Sequence, residues 1–138
     1  MNITVDQAEG SVPVTIVGLH GDLDASNYQD VIAKARELYD VGARHVLLDM
    51  SNVPYMGSSG LVALHSIAVL LRGEQPPDPE SGWNAFHAIA RDQEADRGAQ
   101  QHIKLLNPQP KVVRTLEMTG LKAFFEVHTD LAAAIASF

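Results

Sequence analysis

Residues 45–50 (HVLLDM) constrain the fold more than any other stretch, being mostly apolar, too short for a helix and flanked on both sides by segments of helical period. Such a run is a central strand buried on both faces, which requires neighbouring strands and covering helices. Before it, Tyr28, Val31, Ile32, Ala35, Leu38 and Tyr39 recur at spacings of three and four, the mark of an amphipathic helix. Asp24 or Ser26 is placed to cap that helix and Gly42 to stop it. After it, a loop over residues 51–57 (SNVPYMG) leads to a second helix spanning about residues 58–72, with Ser58 as its N-cap.

The same alternation continues on both sides. Residues 3–5 and 12–19 are β-branched and alternating, and the turn-rich stretch between them makes them an antiparallel pair. Residues 102–106 read as a strand, Pro108 and Pro110 lead into a helix over 111–119 stopped by Gly120, and 124–127 form a last strand. Thr129 caps a final helix over 130–137. The pattern is an α/β layer with a mainly parallel sheet to which the first strand is antiparallel. With 138 residues the chain is one domain, long enough to hold a core without a metal or cross-link. Residues 73–101 stand apart: they hold Pro76, Pro77 and Pro79 and carry −4 of the chain's net −7. They read as an inserted, largely mobile loop, in which Trp83, Phe86 and Ile89, three apart, allow one or two helical turns that tack the loop to the domain or meet a partner.

Several function classes are excluded. The 17 acids outnumber the 10 lysines and arginines and no basic run occurs, so nucleic acid is not an expected partner. The longest apolar stretch, 61–71, is interrupted by His65 and Ser66 and falls short of the roughly 20 residues of a membrane span. The N-terminus, MNITVDQ, has no export signal, so a cytoplasmic protein without membrane insertion is expected. There is no cysteine for disulfides, thiolate ligands or thiol chemistry. The six histidines are scattered without a pair at i, i+2 or i+4, so neither a metal nor another cofactor is expected. Phosphate-loop, dinucleotide and nucleophile-elbow motifs are absent, and the chain reads as a non-enzyme. Asp24, Asp49 and Ser58 near strand ends leave a weak enzyme or small-ligand reading, since separated acids there are more often caps.

One junction stands out, where the Asp49 strand and the Pro54 loop meet the helix opening at Ser58-Ser59-Gly60. Two hydroxyls lie at a helix N-terminus, where free N–H groups and the macrodipole favour a phosphate. The plainer reading keeps Ser58 only as a cap. Along the same helix Leu61, Leu64, Ile67, Ala68 and Leu71 form a core stripe, while Val62 and Val69 fall on another face. Either the 73–101 segment covers that face or it offers an apolar patch to another protein.

Residues 48–64 (LDMSNVPYMGSSGLVAL) resemble the signature loop and helix of the STAS domain, the family of bacterial anti-sigma-factor antagonists. GDLDASN at 21–27 and IKLLNPQPKVVRTLEMTGLKAFFEV at 103–127 resemble two further segments of that family in the expected order. The resemblance covers the chain except 73–101, whose removal leaves 109 residues, and it implies one STAS domain with an acidic, Pro-containing loop inserted there. The implied architecture is a mixed, mainly parallel sheet of four to five strands with helices on one face. The implied function is partner switching in transcription regulation: the protein binds an anti-sigma factor that is also a serine kinase, is released when that kinase phosphorylates it, and is reset by a serine phosphatase. The implied acceptor is Ser58, with Ser59 second, and the implied partner surface comprises Asp24, Tyr55, Met56, Gly57, Ser58, Ser59, Gly60, Val62 and Val69. The family's acid before the acceptor is Gly57 here, which removes a carboxylate and frees the backbone for positive φ. A scaffold in a sensory, stressosome-like assembly and a soluble subunit of a lipid or solute transporter are the alternatives within the family.

Overall fold

The sheet grows outward from the apolar run at 45–50. In the computed structural model, which describes residues 1–76, 82–94 and 99–138, that run becomes β3 (Val46–Asn52), third of five strands in chain order. Strand β2 (Pro13–His20) lies parallel to one side of it and β4 (Ile103–Leu106) to the other, with β5 (Glu126–His128) parallel to β4. Strand β1 (Asn2–Glu9) pairs antiparallel with β2, from Asn2 opposite His20 to Glu9 opposite Pro13, and forms the free edge on which Asn2, Thr4, Asp6, Gln7 and Glu9 are exposed. Helices join the parallel strands: α1 (Tyr28–Asp40), α2 (Ser58–Leu71) with α3 (Gly82–Glu94), and α4 (Pro110–Met118). The chain ends in α5 (Leu131–Ala136).

Alternation along β3 divides the core. Val46, Leu48 and Met50 face one layer, with Val31, Ala35 and Leu38 of α1, the buried length of α2, Ala85 and Ile89 of α3, and Val112 and Leu116 of α4. Leu47 faces the other, with Val14, Leu106 and Ala134 of α5. The helices therefore lie on one face except for α5, which covers part of the opposite one. Lys104 tethers it, its buried Nζ donating to the Ser137 carbonyl at 2.8 Å and Oγ at 3.0 Å while pairing with Glu126 at 3.2 Å.

Four local expectations are corrected. Neither Asp24 nor Ser26 caps α1: the Asp24 carboxylate is turned back onto Ser26, and Asn27 holds the cap position without a cap bond, its amide oxygen accepting from the Asp24 N–H at 3.0 Å and its amide N–H donating to the Asp22 carbonyl at 2.7 Å. Asp130, not Thr129, caps α5, accepting from the Ala133 N–H at 2.9 Å. Residues 122–124 wind into a 3-10 turn, so β5 begins only at Glu126. The segment expected to be a mobile loop contains the 13-residue helix α3, whose Ala85 and Ile89, four apart, are 1% and 7% exposed in the main core. Phe86, read as part of its apolar face, points outward at 43% exposure, and Pro77, Pro79 and the Trp83 side chain lie outside the described residues. The physical reason is that α2 is apolar on every side and needs a cover that the sheet alone does not supply.

Candidate functional site

Two loops are stitched together at the C-terminal end of β3. The Gly21 N–H donates to Asn52 O at 2.9 Å, Leu23 N–H to Tyr55 O at 3.0 Å and Gly57 N–H to Leu23 O at 3.0 Å, making a single parallel bridge between Leu23 and Met56. Both side chains of that bridge drop into the core, 0% and 1% exposed. They lie under Gly60, where a Cβ would overlap Met56 Cγ and stand 3.1 Å from Leu23 Cγ. Gly60 is therefore the residue that lets the first turn of α2 rest on the two loops.

On this platform Gly57 is the N-cap, and Ser58 and Ser59 are the first two helical residues. Ser58 is not the cap expected of it: no side-chain bond caps α2, and Ser58 is exposed, its hydroxyl making no hydrogen bond among the described residues. Ser59 is half-buried beside it. Gly57 does not use the freedom expected of it either, having φ −85° and ψ −177°, ordinary extended backbone. Tyr55, three residues before Ser58, is 51% exposed.

Asp24 is half-buried at the rim; its carboxylate accepts from the Ser26 N–H at 2.9 Å and hydroxyl at 2.5 Å. Those two bonds, the hydroxyl first, hold its pKa below the usual 3.8. Asp49 is engaged in the same way, accepting from the Ser51 N–H at 3.1 Å and hydroxyl at 2.6 Å. Each acid thus closes its own local turn, and among the described residues neither is hydrogen-bonded to Ser58.

The remaining surface residues separate by burial. Met56, Gly60, Val62 and Val69 are buried, the last two at 4% and 5%, so the second apolar face of α2 is covered within the chain and is no open patch. Asp24, Tyr55, Gly57, Ser58 and Ser59 remain accessible in whole or part. The sequence reading missed a polar cluster farther along the same helix. His65, 1% exposed, shares a hydrogen bond of 2.5 Å with Asp92 of α3, and Arg72 pairs with the same carboxylate at 3.2 Å. Its signal was the pair of polar residues, His65 and Ser66, in an otherwise apolar helix. Among the described residues no group of three His, Asp or Glu is placed to hold a metal, and no helix is long and apolar enough to cross a membrane.

Residues 4–75, just over half of the chain, match the sequence profile of the STAS domain, and that match contains the bridge, the Ser58 turn and α2. The chain belongs to the STAS domain family. Over its full 138 residues this STAS protein is 25% identical to BtrV of Bordetella bronchiseptica, named as a candidate anti-sigma factor antagonist, of which it covers 95%. Its fold resembles the crystal structure of an anti-sigma factor antagonist from Mycobacterium paratuberculosis, with TM-score 0.63 and 16% identity over 99% of this chain and 93% of the other. It also resembles SpoIIAA in two forms. The unphosphorylated one gives TM-score 0.56 at 18% identity, covering 96% of this chain and 93% of the other. The phosphorylated one, from Bacillus, gives 0.55 at 16%, covering 96% of each. At these identities the solved structures establish a shared fold, a five-stranded STAS sheet with its helices.

Proposed function

We propose that this STAS domain is an anti-sigma factor antagonist, that its partner docks on the loop-and-helix platform at the end of β3, and that phosphorylation of Ser58 switches docking off. The observation that carries the proposal is the exposed Ser58, its hydroxyl unbonded among the described residues, at the first residue of α2 and held on a bridge between two loops. BtrV and the solved relatives bear the name of antagonists, and SpoIIAA is described in phosphorylated and unphosphorylated forms. A phosphoryl group at Ser58 would add close to two negative charges to a chain already at −7. The first free N–H groups of α2 stabilise it locally, while its charge repels an acidic or apolar partner surface.

In this reading the chain acts as ligand and kinase substrate rather than as an enzyme, in the cytoplasm. Its partner is an anti-sigma factor that is a serine kinase, and a serine phosphatase resets it. The whole chain is one STAS domain in which 73–101 is an insertion.

The test is affinity capture of the tagged chain from its native cells, with mass spectrometry of the partners and of the peptide containing residues 58–59. The expected result is an anti-sigma-type serine kinase bound to unmodified chain and phosphate on Ser58 in the unbound pool, with Ser58→Asp losing capture at least tenfold and Ser58→Ala retaining it. Recovery of transporter or scaffold proteins with an unmodified peptide would overturn the reading.

A further inference from the structure

A cavity of about 490 Å³ lies at the end of the sheet opposite Ser58, where the start of β2, the end of α1 and the loop leading to β3 meet. That is the size of a small-molecule site. Its walls are apolar, from Val12, Pro13, Leu38, Val41 and Ala43. Val41 lines it and is nonetheless 80% exposed, which puts an apolar side chain at the mouth. Inside, Thr15 takes the first core-facing position of β2, ahead of Val17 and Leu19, and is 4% exposed. Its hydroxyl reaches only Gln7 Oε1, at 3.4 Å, a long bond that leaves a buried polar group short of a partner.

Arg44 is the one charged residue on the described lining. Its Nη1 donates to the Tyr39 and Ala43 carbonyls at 2.8 Å each, and its guanidinium lies 3.8 Å over the Tyr39 ring. The side chain is thus fixed in place, while Nε and Nη2 have no partner among the described residues. Those two nitrogens form one edge of the guanidinium fork, the edge that takes a carboxylate bidentately. The negative end of α1 is already closed within the chain, because the Glu37, Leu38 and Tyr39 carbonyls accept from the N–H groups of Val41, Ala43 and Gly42. His45 also borders the cavity, but its ring packs against those of His102 at 5.2 Å and Phe138 at 5.8 Å, and burial holds its pKa below 6.5, so it adds no charge at neutral pH.

We propose that this cavity binds a small amphipathic carboxylic acid, with the carboxylate on Nε and Nη2 of Arg44 and the apolar body between Val12, Leu38 and Val41. One fixed positive charge among apolar walls balances one negative charge, whereas a dianion would leave a charge uncompensated there. The inference does not depend on the role of Ser58, which lies at the other end of the sheet.

The test is titration of the isotope-labelled full chain with octanoate and with the ring-bearing phenylbutyrate, read as amide shifts in NMR spectra. At least one acid is expected to give saturating shifts confined to residues 12–15 and 38–45, with octanol and octylamine binding at least tenfold more weakly. Arg44→Gln is expected to weaken the acid at least tenfold. Val41→Asp, at an exposed position that leaves the core alone, is expected to do the same by setting a carboxylate at the mouth, and unchanged shifts elsewhere show that the variants are folded. The proposal is overturned if neither acid gives saturating shifts there at millimolar concentration, or if octanol binds as tightly as octanoate, which would make the cavity a plain apolar cleft. It is equally overturned if folded Val41→Asp or Arg44→Gln protein binds the acid as the unaltered chain does.

Discussion

At Gly60 and Gly57 two glycines three positions apart have opposite tolerances. Replacing glycine by alanine inside a helix ordinarily gains close to 1 kcal/mol. At Gly60 the added methyl meets Met56 and Leu23, which are fully buried and bridged through their backbones, so the overlap outweighs the gain. Gly60→Ala is expected to destabilise the domain by about 1–2 kcal/mol net, read as a lower midpoint in urea at unchanged slope. Gly57 is the reverse case. Its backbone is extended, and a Cβ there finds only Tyr55 Oη at 3.5 Å, an ordinary contact. Gly57→Asp would place a carboxylate at an N-cap that has no side-chain acceptor, and is expected to raise stability by a few tenths of a kcal/mol, in the same urea titration. A loss of stability at Gly57→Asp would show that the loop, not the cap, governs this turn.

The pairing of α2 with α3 makes part of the fold sensitive to acid. Burial holds His65 below the usual histidine pKa of 6.5, outweighing the Asp92 hydrogen bond and charge, which pull it up. The groups around it are Asp92 of α3, Arg72 and Glu74 just beyond α2, and the Phe124 ring of the 3-10 turn at 6.0 Å. A neutral imidazole therefore donates through Nε2 to Asp92, the tautomer that this acceptor requires. Because the folded pKa lies below the unfolded one, the contribution of His65 is complete above 6.5 and is lost as the pH falls below it. Asp92 follows at lower pH: burial raises its pKa, but the His65 hydrogen bond and the Arg72 charge outweigh burial and hold it below 3.8. Exchange protection of α3 amides is expected to fall over the interval below pH 6.5 while that of β3 holds, and His65→Gln should flatten this response. An α3 whose protection is constant over that interval would contradict this assignment.

For the molecule as a whole, what could be read from the chain is what repeats locally. The parallel strands, the antiparallel opening and the start of α2 at Ser58 follow from periodicity and turn residues, which are properties of neighbours in sequence. The Ser58 turn was legible for the same reason, since loop, hydroxyls and helix lie within about ten residues. The unread parts depend on partners far apart. His65 and Asp92 are separated by 27 positions, and nothing in either neighbourhood announces the other. Val62 and Val69 were left open between cover and patch because α3 was hidden by proline and acid content; its anchor, Ala85 with Ile89, is one small residue and one large, a weak stripe to read. The placement of α5 on the opposite face of the sheet depends on Lys104 being buried beneath it, where a lysine is least expected.

The free edge formed by β1 has a consequence for the molecule in crowded solution. Its exposed residues include Asp6 and Glu9, one on each face of the strand, so a second copy adding itself along that edge would bring like charge to like, in a chain already at −7. The border of the sheet is in effect self-repelling: it discourages ribbons of identical molecules at high concentration, while a strand rich in lysine from some other protein meets no such opposition.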